Sequence, residues 1–276
     1  MAKLARHGEP RRLSDRVWDI PFAGDPKAAL ATARATAPEA DINVVPAENR
    51  RKRLLIADMD STIIGCECLD ELADMAGLKP RIAAITERAM RGEIPFEAAL
   101  RERVAMLKGL PLTALERTAR ERVRLNPGAA ALLATMRANG ATTLLVSGGF
   151  TFFTERVARE AGFHFHRANI LRDDGKALLG EVAEPILGRE AKLAALEDAV
   201  KQHKLAHDDV LAVGDGANDL AMIARAGLGV AYHAKPIVAE AAGARIDRGD
   251  LTALLYLQGY RDDEIVQPSP SRRMAT

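Results

Sequence analysis

An excess of charge of either sign is missing from this chain, in which 39 Lys and Arg stand against 38 Asp and Glu, for a net charge of +1. A nearly neutral protein has no electrostatic footprint for nucleic acid or an anionic membrane surface, so neither is expected as a partner. Its one dense basic run, Arg50-Arg51-Lys52-Arg53, reads as a solvated lead-in to a strand. Cysteine is scarce as well. Cys66 and Cys68 flank Glu67, too close to bridge without strain, and no further Cys or His stands near them to build a zinc site. Free thiols suit a reducing compartment, so a cytoplasmic protein is expected. Long apolar runs are missing too. The longest charge-free stretch, Ala138 to Thr154, is broken by Gly140, Gly148 and Gly149, which excludes a membrane span there. The first ten residues carry Lys3, Arg6 and Glu9 and lack the apolar core of a signal peptide.

What is present is enough for a sizeable core, since 48% of the 276 residues are hydrophobic. Three short apolar runs each end in a polar loop. Leu54-Leu55-Ile56-Ala57 runs into Asp58-Met59-Asp60-Ser61-Thr62. Thr142 to Val146 runs into Ser147-Gly148-Gly149-Phe150. Val210 to Val213 runs into Gly214-Asp215-Gly216-Ala217-Asn218-Asp219. Gly229 to Tyr232 supplies a fourth candidate strand. Helical patterns lie between and after them, over Pro127–Asn139, Thr151–Ala161, Arg189–Lys204 and Asp219–Ala226. Strand, loop and helix in repetition predict an α/β fold with a doubly wound parallel sheet of Rossmann-like type. Ligands of such sheets bind past the carboxyl ends of the strands, where the three loops converge.

Residues 51–66 and 125–260 are therefore expected to form the α/β core. Residues 67–124, helical throughout in pattern, are expected to form a small cap domain, and residues 163–184 a hairpin turning at Asp173-Asp174-Gly175. Residues 1–50, interrupted by five prolines, read as an N-terminal extension with one helix over Ala28–Ala37. Residues 261–276 read as a flexible tail.

Alternation along a strand would turn Asp58 and Asp60 to one site. Two adjacent carboxylates raise each other's proton affinity unless a cation intervenes, and Mg²⁺ is suited to carboxylate and carbonyl oxygens. Alone, the Asp-x-Asp pair fits a capped turn equally well. Ser147-Gly148-Gly149, with a hydroxyl and unobstructed N–H groups at a helix start, suits phosphate oxygens, although a tight turn would look the same. Asp215 brings another carboxylate to that edge, where a helix cap is the plain alternative. In the cap, Phe96, Leu100, Val104 and Leu107 fall on one helical face with Arg103 in its middle, while Arg101 and Lys108 fall off it. A guanidinium in an apolar stripe needs an anionic partner, either a carboxylate of the protein or one of a substrate. His164 and His166, two apart with no acid nearby, read as surface residues.

Together, D-M-D-S-T, S-G-G-F, a lysine on the helix before the third strand and G-D-G-A-N-D resemble the motifs of the haloacid dehalogenase superfamily. With G-C-E-C and F-E-A-A-L-R-E-R-V in the cap, the chain is similar in particular to the phosphoserine phosphatase branch over residues 50–260. Residues 1–50 stand where many relatives carry a fuller regulatory domain. The resemblance implies an Mg²⁺-dependent phosphatase that releases L-serine from L-phosphoserine through an aspartyl-phosphate, as the last step of serine biosynthesis, in a monomer or homodimer. It makes Asp58 the nucleophile and Asp60 the general acid and base. Mg²⁺ would lie between the Asp58 carboxylate, the Asp60 carbonyl and the Asp215 carboxylate, with Asn218 and Asp219 holding the surroundings. Ser147, Gly148 and Lys192 would bind the phosphoryl group, Arg103 the substrate carboxylate and Glu67 its ammonium, with Met90 and Phe96 closing the site. The alternatives are a related phosphatase or phosphotransferase with another small substrate, and a phosphoacceptor switch that holds its phosphate.

Overall fold

The computed structural model describes residues 7–91, 93–188 and 190–267. Arg189, expected to open a helix, the side chain of Met90, and residues 268–276 of the expected tail lie outside the described residues.

The N-terminal segment forms a two-stranded ribbon, β1 (Arg11–Arg12) with β2 (Trp18–Asp19), and a helix, α1 (Pro26–Thr36). Asp25 caps α1 by accepting the Lys27 N–H at 2.9 Å. This segment is tied to the rest of the chain by polar contacts. Asp41 accepts the backbone N–H groups of Asp247, Arg248 and Gly249 at 2.9, 3.0 and 2.7 Å. Arg50, paired with Asp19 at 2.5 Å, donates to the Leu257 carbonyl at 3.2 Å through Nε.

Leu54–Ala57 forms β3, fully buried on both faces as a wholly apolar run requires. Four helices follow, α2 (Cys68–Met75), α3 (Lys79–Met90), α4 (Phe96–Ala105) and α5 (Leu112–Arg122), with no strand element between them among the described residues. Then come α6 (Ala129–Ala138), β4 (Thr142–Phe150), α7 (Thr151–Ala161) and β5 (Phe165–Asn169). A hairpin of β6 (Leu171–Asp173) and β7 (Leu178–Val182) precedes α8 (Ala191–Gln202), β8 (Val210–Gly214), α9 (Leu220–Arg225) and β9 (Leu228–Tyr232). The last elements are α10 (Pro236–Ala241), β10 (Ala244–Ile246) and α11 (Ala253–Leu257).

Six strands make one parallel sheet in the order β10-β9-β8-β3-β4-β5. Its two faces are covered separately. Leu55 and Ala57 pack with Leu72, Leu132, Met136 and Phe153 on one side; Leu54 and Ile56 pack with Leu196, Ala199 and Met222 on the other. This is the expected doubly wound α/β architecture. The chain runs outward from β3 to β5, then returns to the other side of β3 with β8. The crevice for a ligand therefore opens past the ends of β3 and β8.

Several expectations need correction. Residues 165–169 do not belong to the hairpin but form the edge strand β5, paired with β4; the hairpin spans 171–182 and turns at Asp174, whose Oδ1 accepts the N–H groups of Lys176 and Ala177. The strand β10 completes the opposite edge and was not foreseen. Ser147-Gly148-Gly149 stands inside β4, past a register shift after Val146, and α7 begins only at Thr151. The tail is held as far as Val266: Asp262 N–H donates to Leu13 O, Arg51 pairs with Glu264, and Val266 N–H donates to Thr135 Oγ1. His164 is exposed as expected and His166 is part-buried; each Nδ1 lies 3.0 Å from a threonine hydroxyl, Thr143 and Thr154 respectively.

Helices α2–α5 stand over the crevice. The connection from α4 to α5 is stitched to the hairpin, with Gly109 N–H donating to Leu178 O and Leu112 N–H to Lys176 O, both at 2.8 Å. Among the described residues no helix is long and apolar enough to cross a membrane.

Candidate active site

β3 ends at Ala57 and its hydrogen-bonding continues one residue further, because Asp58 N–H donates to Val213 O of β8 at 3.0 Å. Asp58 then caps the irregular turn Met59–Ile63, accepting the Met59 N–H at 2.7 Å through Oδ1. The same oxygen lies 2.7 Å from Lys192 Nζ. Asp58 Oδ2 has no hydrogen bond among the described residues, yet no buried side-chain polar atom is left without a partner. That oxygen is therefore not fully buried, although Asp58 as a whole is only 5% exposed.

Lys192 is buried at 3% exposure and bridges two acids, Asp58 and Asp219, the latter at 2.5 Å. Burial alone would depress its pKa, but the two carboxylates outweigh that and hold the ammonium above the ordinary lysine value. Asp219, with no exposure at all, turns its other oxygen to the Gly216 N–H at 3.0 Å. A glycine is needed before it, since a Cβ on Gly214 would lie 2.3 Å from the Asp219 carboxyl carbon.

Asp58, Asp215 and Asp219 each bring an oxygen within 4.8 Å of the others. Burial pushes Asp58 well above the usual carboxylate range, with Asp219 and Asp60 adding to it and Lys192 opposing. Asp215 is raised by the same two causes, burial and Asp219, while Thr62 Oγ1 donates to it at 3.2 Å. Three carboxylates against one ammonium leave two uncompensated negative charges, which is the charge of one divalent cation. The donor set, all oxygens, suits a hard ion.

Asp60 does not share this cluster. The alternation argument assumed a strand, but the chain has already left it, and Ser61 takes a left-handed φ of 55°. The Asp60 carboxylate points instead to the first turn of α2, accepting the Cys68 N–H at 2.8 Å, and to Ser147, whose hydroxyl donates to it at 3.0 Å. Burial raises its pKa, although the Cys68 N–H works against the shift. Ser147, 1% exposed, also accepts the Gly149 N–H at 2.8 Å. A Cβ on Gly149 would crowd Ser147 Oγ at 3.0 Å and Asp60 Oδ2 at 3.2 Å, so the glycine permits this junction.

The remaining predicted residues lie around the mouth. Arg103 is half-buried on α4 and donates only to Ala99 O at 3.2 Å and Thr86 Oγ1 at 3.4 Å. Among the described residues no carboxylate lies in ion-pair range of it. Burial lowers its pKa, with Asp70 and Glu67 countering from further off. Glu67 is exposed as a residue, but desolvation, then Asp60, raise its carboxyl to about 7, and Ser61 Oγ donates to it at 2.7 Å. Phe96 leaves the apolar stripe predicted for it. It is 41% exposed, and its ring tip would meet a Cβ on Gly148 at 3.7 Å. Arg101, off that face as expected, pairs with Glu97 and Glu184. Asn218 is exposed beside Gly216.

One buried polar residue at this edge escaped the sequence reading. Asn169, at the end of β5, donates to the Gly148 carbonyl. Its signal was hidden because β5 was read as a hairpin arm.

Comparison with known proteins establishes the family. The profile of the haloacid dehalogenase-like hydrolases matches residues 55–224. A phosphoserine phosphatase of Polaromonas sp. is 47% identical over 210 residues, covering 74% of this chain and 89% of that protein. Among solved structures, a HAD family hydrolase from Salmonella enterica serovar Typhi superposes with a TM-score of 0.82 at 30% identity, covering 90% of this chain and 88% of that one. A phospho-aspartyl intermediate analogue of a phosphoserine phosphatase superposes with a TM-score of 0.68 at 37% identity, covering 75% of this chain and 98% of that one. The chain belongs to the haloacid dehalogenase-like hydrolases.

Proposed function

We propose that the chain is a phosphoserine phosphatase, hydrolysing L-phosphoserine to L-serine and phosphate, the last step of serine biosynthesis. The observation that carries this reading is Asp58, whose Oδ1 is held by Lys192 and the Met59 N–H while Oδ2 has no hydrogen bond among the described residues. A carboxylate fixed through one oxygen presents the other for attack. Relatives of the same name and the superposition on a phospho-aspartyl analogue support the assignment.

In this account Asp58 Oδ2 attacks phosphorus and the bond to the serine oxygen breaks. Asp60, whose burial favours its protonated form, gives its proton to the departing oxygen. Water then attacks the aspartyl-phosphate, Asp60 takes its proton, and Asp58 is restored. Lys192 and the Ser147 hydroxyl, with the Gly148 backbone, neutralise and orient the phosphoryl oxygens. Asp58, Asp215 and the Asp60 carbonyl would hold Mg²⁺, which supplies positive charge to the transferring group. Asp219 keeps Lys192 charged and in place. Over the site, Arg103 receives the substrate carboxylate and Glu67 its ammonium. The two unbridged cysteines fit a cytoplasmic setting.

A phosphate-release screen over small phosphomonoesters, with Mg²⁺ or chelator, tests the reading. Phosphoserine should be the best substrate, and chelator should silence release. Preference for a phosphoester lacking the amino-acid group would redirect the assignment to another phosphatase of the family.

A further inference from the structure

Asn169 is 2% exposed, and its amide joins the end of β4 to the loop before α8. Nδ2 donates to the Gly148 carbonyl at 2.9 Å, and Oδ1 accepts the Leu187 N–H at 2.7 Å. An acceptor on one side and a donor on the other leave a single possible orientation of the amide. The Gly148–Gly149 peptide is thus gripped at both ends, its carbonyl by Asn169 and its N–H by Ser147 Oγ at 2.8 Å. Ser147 donates in turn to Asp60 at 3.0 Å. A hydrogen-bonded chain runs from the edge strand to the carboxylate assigned as acid and base.

Such a grip is needed at this peptide. It lies between two glycines, where no Cβ resists rotation of the plane. A flipped peptide would turn the Gly148 carbonyl oxygen toward Ser147 and Asp60, the side on which phosphoryl oxygens are to bind. An oxygen dipole there would repel the anion. Leu187 lies shortly before α8, so the same side chain also fixes the lead-in to the helix that carries Lys192.

We propose that Asn169 is a positioning residue that locks the Gly148–Gly149 peptide in its anion-accepting orientation, an inference resting on the phosphatase reading of the site. Without the lock, the free protein divides between two peptide orientations and binds substrate or phosphate through one of them. Both affinities then fall by the same factor, while the bound enzyme turns over normally.

Asn169→Ala should therefore raise the KM for phosphoserine and the inhibition constant of inorganic phosphate together, each about tenfold, with kcat within about twofold of wild type. Asn169→Asp keeps the size and the acceptor for Leu187 but has no donor for the Gly148 carbonyl, and should show the same rise. Thermal melts of both variants separate folding loss from this effect, since a structural role alone would lower Tm and leave the two constants together at wild-type values. Wild-type KM and phosphate affinity in a folded Asn169→Asp protein would overturn the proposal, as would a fall in kcat with both constants unchanged. Calorimetric titration of inorganic phosphate into the Mg²⁺-loaded proteins reads the same affinity without turnover. A wild type that binds phosphate but hydrolyses no phosphomonoester would sink the phosphatase reading, and the titration would still decide on Asn169.

Discussion

The floor of the crevice and the helical layer above it treat their charges differently. Below, Lys192 meets Asp58 and Asp219, Asp219 also holds the Gly216 N–H, and both Asp60 oxygens are occupied. Above, Arg103 has a carbonyl and a threonine hydroxyl for company, and Glu67 has one serine. The floor is organised before any ligand arrives, as phosphoryl transfer demands of a catalyst that stabilises charge rather than makes bonds. The upper layer keeps opposite charges apart at the mouth, as the proposed recognition of a zwitterionic substrate requires. Chemistry is built in below, and selection waits above.

The sharpest break in that contrast is Asp58→Asn, which replaces the carboxylate assigned as nucleophile and should abolish turnover of every phosphomonoester while leaving the melting curve cooperative. Steady-state assays on a preparation checked for deamidation decide it; normal activity would remove Asp58 as nucleophile.

Asp60→Asn comes next, with a loss of roughly 10²–10⁴ in rate for phosphoserine. An aryl phosphate, whose leaving group needs little protonation, should suffer less. Equal losses for both substrates would count against the acid role.

In the upper layer the effect is smaller and confined to recognition. Phosphoethanolamine lacks the carboxylate and would leave Arg103 unpaired, at a cost of about 1–3 kcal/mol. Its kcat/KM should therefore fall roughly ten- to a few hundred-fold below that of phosphoserine. Arg103→Ala should erase most of this gap by weakening phosphoserine alone. If the variant discriminates as well as wild type, Arg103 does not read the carboxylate.

The least effect is on stability. Without a cation, Asp58, Asp60, Asp215 and Glu67 all have raised pKa values, Glu67 to about 7. Above the ordinary carboxylate range the unfolded chain has released these protons and the folded protein still holds some of them. Stability of the metal-free protein should therefore fall as pH rises toward 7. Mg²⁺ relieves the crowding, so the Tm gain on adding it should grow over that window. A gain that shrinks with rising pH would place the ion elsewhere.

How much of this was legible in the sequence depended on burial on both faces. Leu54–Ala57 and Val210–Val213 announced themselves because central strands are apolar throughout. Phe165–Asn169 did not, since an edge strand carrying His166, Arg167 and Asn169 has no such run, and Asn169 was lost with it. The three residues of β10 are too few to show a pattern. The partners of the Asp60 carboxylate, Cys68 N–H and Ser147, could not be read from alternation because the strand ends before it. Lys192 carried an unused signal. It shares its helix face with Ala195, Leu196, Ala199 and Val200, all buried, the same charge-in-a-stripe pattern that singled out Arg103.

The central claim is that phosphate passes through Asp58, and rapid acid quenching during turnover of phosphoserine tests it directly. Peptide mass spectrometry of the quenched wild-type protein should find the phosphoryl group on Asp58 and on no other residue, and none in Asp58→Asn. Rapid turnover with no phosphoryl group on Asp58, or with one trapped on a different residue, would contradict the account.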